Sequence, residues 1–157
     1  MNKLKILLTI TAIGILLYVL HFISLIYMWD YYTELYKATE DRVVFGKYNF
    51  IIGYVNSVIL FIGLCLSFKC VYTIIKQGYF TELVRKLMRL AGSIFLFSGV
   101  ITGIFDIIRV ANEMEKSVAI GIILADFLLT IVGLIVLIIV DMARTGYQLK
   151  SENDLTI

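Results

Sequence analysis

The chain has 157 residues, 61% apolar and 17% charged, with a formal net charge of +2 and a mean hydropathy of +0.94. Soluble domains carry about a quarter charged residues, so this composition excludes disorder, a nucleic-acid-binding domain and nearly every soluble globular fold. It fits one integral membrane domain of a few spans, with too little net charge to imply a polyanionic partner.

A helix needs about 20 apolar residues to cross about 30 Å of hydrocarbon. Four runs meet that length: Ile6–Trp29, Tyr48–Phe68, Leu90–Val110 and Ser117–Val140. The first holds no charge over 24 residues. That is too long for the apolar core of a signal peptide, and no A-x-A site follows, so a retained span is expected. Trp29, Tyr31, Tyr32, Tyr36 and Tyr48 bracket the next loop, Asp30–Lys47, as interfacial aromatics do.

The second run is also uncharged, and Lys69 can snorkel to the headgroups just past its end. Cys65 and Cys70 stand five apart, about 140° around a helix, so they cannot pair and read as small apolar residues. Gly78 marks a helix stop, Thr81 an N-cap, and Glu82 sits in the favourable first turn. Leu83, Val84, Leu87 and Met88 then fall on one side of a helix and Arg85, Lys86 and Arg89 on the other. This predicts an amphipathic entry lying near the inner headgroups. Its basic side either anchors on anionic lipid or docks a cytoplasmic protein. The third run contains Asp106 and Arg109, and the fourth contains Asp126.

Lysine and arginine placement sets the orientation. With the N-terminus inside, nine of the 14 basic residues fall on the cytoplasmic side and five outside. Both termini are therefore expected in the cytoplasm of a cell-membrane protein. The expected fold is all-α: one domain over residues 1–157, an antiparallel bundle of four transmembrane helices, with residues 141–157 as a cytoplasmic tail.

Helices meet in lipid through small residues and polar pairs, and each run carries such a stripe at spacings of three and four. The stripes are Thr11, Gly14, Tyr18 and His21; Asn49, Gly53, Asn56, Leu60, Gly63 and Ser67; Gly92, Leu96, Gly99, Gly103 and Asp106; and Ala119, Ile122, Asp126, Thr130, Gly133 and Leu137. All four are expected to face inward.

At 1.5 Å per residue, His21 and Asn56 lie about 12 Å below the outer ends of their helices, Asp126 about 13 Å, Asp106 about 9 Å and Arg109 about 5 Å. These five form a candidate polar cluster in one layer. Two readings stand. The cluster is a self-satisfied knot that fixes which helix faces which, or a small water-filled pocket that binds a ligand or a proton. No nucleophile at a defined spacing, metal-ligand set or phosphate-binding motif accompanies it, so no enzyme, metal or cofactor is implied.

The terminal run Leu149-Lys150-Ser151-Glu152-Asn153-Asp154-Leu155-Thr156-Ile157 resembles the closing signature of a bacterial four-span membrane family, domain of unknown function 2975. The run Gly78-Tyr79-Phe80-Thr81-Glu82, followed by Arg85-Lys86-Leu87, is similar to that family's inner-loop pattern. The resemblance implies a protein encoded beside a small helix-turn-helix regulator, mainly in Gram-positive bacteria. It carries over no catalytic residue.

On that basis the expected function is a non-enzymatic sensor that regulates a cytoplasmic helix-turn-helix protein without itself touching nucleic acid. The expected docking surface joins Arg85, Lys86 and Arg89 to Glu152, Asn153, Asp154, Leu155 and Ile157. The alternatives are an immunity-type protein against a membrane-active peptide or toxin, acting through the outer loop, and a small proton-coupled transporter using Asp106 and Asp126.

Overall fold

The computed structural model describes residues 2–38, 48–79, 81–112 and 116–154, with side chains for 2–34, 50–79, 81–111 and 120–145. The elements among them are helices: α1 (Asn2–Tyr27), α2 (Trp29–Ala38), α3 (Tyr48–Gln77), α4 (Glu82–Asn112) and α5 (Lys116–Asp154). α1, α3, α4 and α5 are each long and apolar enough to cross a membrane. Their exposed leucines and isoleucines, such as Ile6, Leu16 and Leu128, are about 60% accessible. On a soluble monomer such a surface would aggregate, whereas in a bilayer it is the lipid contact. The chain is a multi-pass membrane protein.

The helices overrun the four apolar runs. α3 continues past Phe68 to Gln77 and α4 starts at Glu82, ahead of Leu90, at the expected stop and cap, while α5 continues past Val140 to Asp154. The chain contains no proline, and a charged side chain such as Lys69 leaves the backbone hydrogen-bond ladder intact. α3 stops at Gly78, whose φ of +89° only glycine adopts without strain, and whose N–H donates to the Ile74 carbonyl at 2.9 Å. Thr81 caps α4: its Oγ1 accepts from the Val84 N–H at 3.3 Å, and its carbonyl accepts from the Arg85 N–H at 3.1 Å.

The amphipathic entry expected near the inner headgroups forms the first two turns of α4, and its apolar side packs on the end of α3. Val84 and Leu87 are buried against Cys70, with Leu66, Ile74 and Met88 around them. The Cys70 thiol donates to the Val84 carbonyl at 3.9 Å, and both cysteines are free. Burial against a neighbouring helix offers Val84 and Leu87 more contact than a headgroup layer would.

The loop Asp30–Lys47 also begins as a helix. α2 follows α1 with only a turn at Met28, whose N–H donates to Ser24 and whose carbonyl accepts from Tyr32. Trp29 and Tyr32 both rest on Phe50 of α3, with ring centroids 5.0 and 5.9 Å away.

Packing runs in chain order: α1 on α3, α3 on α4, and α4 most extensively on α5. Within each pair the residue numbers run in opposite directions. Gly14 faces Leu64 while Phe22 meets Tyr54; Gly63 faces Phe95 while Cys70 meets Val84. Gly92 faces Leu137, Gly99 faces Thr130 and Gly103 faces Asp126. The bundle is antiparallel, and the small-residue stripes of α4 and α5 lie on one another.

A polar cavity between three helices

α4 carries Ser98, Thr102 and Asp106 at spacings of four, with Arg109 three further on, so all project toward one side. Ser98 donates to Asn56 Oδ1 on α3. Thr102 donates to Asp126 Oδ1 on α5 at 2.7 Å. Arg109 Nη1 donates to Asp106 Oδ1 at 2.9 Å. Two neighbouring helices are thus tied to α4 by hydroxyls at nearly the same depth.

Glycine makes this approach possible. A Cβ on Gly99 would come within 2.7 Å of the Asp126 carbonyl oxygen, and one on Gly103 would already touch the Asp126 Cβ at 3.6 Å. Asp126 is therefore seated on the α4 backbone.

Asn56, Thr102, Asp106, Arg109 and Asp126 line a cavity of about 200 Å³ whose remaining walls are Ile52, Gly53 and Phe105. Both carboxyls, Asp106 and Asp126, line it. Asp126 Oδ2 is buried and accepts no hydrogen bond from the described residues. Arg109 pairs with Asp106, whereas the Asp126 carboxyl has no basic partner among the described residues. A carboxylate placed this way inside a bundle costs stability, which is why such residues mark ligand or ion sites more often than structural ties.

Four of the five residues expected in the polar cluster meet here. His21 does not. It is exposed on α1, with the rings of Tyr18 and Phe22 at 6.4 and 5.8 Å, whereas the cavity lies on the side of α3 that faces α4 and α5. Among the described residues α1 packs on α3 rather than against α4 or α5, so equal depth does not bring His21 to the cavity. Ser98 and Thr102 belong to the cluster and were missed by the sequence reading. Their signal was the four-residue spacing back from Asp106.

At the other end, Arg85 and Lys86 approach Glu82 Oε1 at 4.0 and 3.2 Å, and Arg89 approaches Asp141 at 3.6 Å. The expected surface joined these bases to the tail acids instead. α5 remains helical through Glu152, Asn153 and Asp154, which carries Glu152 about 16 Å beyond Asp141 along the axis. Arg85 lies only about 6 Å beyond Arg89. The acid paired with Arg89 is Asp141, and the side chains of Glu152, Asn153 and Asp154 lie outside the described residues. Leu155 and Ile157 lie outside the described residues.

A family model described as protein of unknown function DUF2975 matches residues 1–157, the whole chain. The chain belongs to that family. No curated protein and no solved structure matches the DUF2975 chain. Its chemistry therefore rests on the residues themselves. Among the described residues no group of three or more His, Cys, Asp or Glu side chains could hold a metal ion.

Proposed function

We propose that this DUF2975 protein is a non-enzymatic membrane sensor and the regulatory partner of a cytoplasmic helix-turn-helix transcriptional regulator. The observation that carries this is the cavity with an unmatched carboxylate, Asp126, at the junction of α3, α4 and α5. A site that merely held helices together would match every charge. The same two helices that enclose it, α4 and α5, run without a break to the Arg89–Asp141 pair at the far end. With the orientation given by the basic residues, the cavity faces outward and that pair faces the cytoplasm. A ligand that changes the spacing of α4 and α5 at Asp126 thereby changes the surface around Arg85, Lys86 and Arg89.

The test is copurification of the full-length protein from its own membranes, with proteins identified by mass spectrometry. A helix-turn-helix protein should be retained by the wild type and lost on Arg85→Glu with Arg89→Glu. Equal retention by wild type and double reversal, or retention of no such protein, would contradict the proposal. A small proton-coupled transporter is the second reading, favoured by the two carboxyls, Asp106 and Asp126, that line one cavity. Proton-dependent uptake into vesicles would select it.

A further inference from the structure

An apolar groove of about 470 Å³ runs between α3 and α4, from Leu90 to Phe105, about 22 Å along α4. Val55 and Ile59 of α3 and Ile94, Phe97 and Ile101 of α4 form its walls. Leu90, Phe97 and Ile101 are half or more exposed, so the groove opens sideways toward lipid rather than toward water. It is continuous with the polar cavity: Ile52, Asn56, Thr102 and Phe105 line both. Together they form one elongated site with a long apolar arm and a polar end carrying a carboxyl without a basic partner among the described residues. Pockets that take small molecules have this form, mostly apolar with a few placed polar groups, and the groove alone falls within the usual range of about 300–1,000 Å³.

Resting on the sensor reading, we propose that this composite site binds a single-chain amphiphile with a primary ammonium head. The chain lies in the α3–α4 groove and the head sits against Asp126. Charge selects a cation, because Arg109 is taken by Asp106 and the Asp126 carboxyl has no basic partner among the described residues. Hydrogen bonding selects an ammonium with N–H donors. Asp126 Oδ2 lacks a donor, and Asp106 in the same cavity offers acceptor capacity to a head with three N–H groups. The lateral opening selects a ligand that arrives dissolved in the membrane. A soluble amine would have no use for the apolar arm, and an uncharged lipid would leave Asp126 unmatched.

The experiment uses the full chain in a neutral maltoside detergent, with one-to-one adducts read by native mass spectrometry. The probes are dodecylamine, 1-dodecanol, laurate and ethylamine. Dodecylamine should be retained at a concentration at least tenfold lower than any of the other three. Asp126→Asn keeps the size of the side chain, and it should erase the preference for dodecylamine over dodecanol. Val55→Phe fills the groove and should weaken dodecylamine while leaving ethylamine unchanged.

Equal retention of dodecylamine and dodecanol by the wild type overturns the proposal, and this comparison needs no variant to fold. Equal retention of ethylamine and dodecylamine overturns it as well, by removing the groove. A regulator that copurifies while dodecylamine shows no preference sinks this inference and leaves the sensor reading standing. Selective dodecylamine binding without any regulator does the reverse.

Discussion

Gly133 of α5 lies directly on Leu96 of α4: a Cβ at Gly133 would come within 2.7 Å of the Leu96 Cα and 2.9 Å of the Gly92 carbonyl oxygen. These are backbone atoms, so no side-chain rotation relieves the clash. Gly99 makes the reciprocal contact against the backbone of Asp126 and Thr130. Gly133→Ala and Gly99→Ala should each lower stability by about 1–3 kcal/mol, the usual cost of overpacking a close-packed interface. Thermal unfolding in detergent measures it. Gly121→Ala, with nothing within 4 Å of the new methyl, should leave the unfolding temperature unchanged or slightly higher.

The legibility of this interface in the sequence has a physical cause. Gly92, Gly99, Gly103, Asp126, Thr130 and Gly133 recur at helical spacing, and helices in lipid meet where side chains are small. Depth along a helix was equally legible, and it placed Asn56, Asp106, Arg109 and Asp126 at one level. It could not say which side of α3 meets α4 and α5 and which meets α1, and His21 was grouped with them for that reason. Ser98 and Thr102 escaped notice because a lone hydroxyl in a helix ordinarily bonds its own backbone, as Thr73 does to the Lys69 carbonyl. Gly78 and Thr81 signalled the end of α3 and the start of α4, whereas the overrun of α5 was hidden because apolar runs report the membrane and no cap or breaker marks its end.

The helical hairpin beyond the apolar runs depends on its turn. Gly78 takes a left-handed φ of +89°, and nothing crowds its missing Cβ. Gly78→Ala should therefore cost about 1 kcal/mol from backbone strain alone. Deuterium exchange should quicken at the end of α3 and the start of α4, with Asp126 and its surroundings unaffected.

The orientation rests on basic-residue placement and is checked by cysteine accessibility in a Cys65→Ala, Cys70→Ala background. Glu34→Cys in α2 should label from outside intact cells. Arg144→Cys, exposed on α5 just past Asp141, should label only after permeabilisation. Labelling of position 144 from outside would invert the cytoplasmic and outer assignments.

Thr102 has one hydroxyl proton and two nearby acceptors, Asp126 Oδ1 and the Ser98 carbonyl oxygen, each at 2.7 Å. The two partners are therefore unequal. Thr102→Val strips Asp126 Oδ1 of its donor and should cost about 1–2 kcal/mol, since a buried acceptor is left unpaired. Removing Asp126 leaves Thr102 bonded to Ser98.

Whether Asp126 serves binding or packing is decided most directly by the stability of Asp126→Leu beside wild type, Thr102→Val and the double variant, by thermal unfolding in one detergent. A binding carboxylate is a burden on the fold, so Asp126→Leu should be neutral or more stable, and it should cancel the loss caused by Thr102→Val. A fall of about 2 kcal/mol or more in Asp126→Leu, undiminished in the double variant, would make the carboxylate a structural tie and contradict a ligand site at the α3–α4–α5 junction.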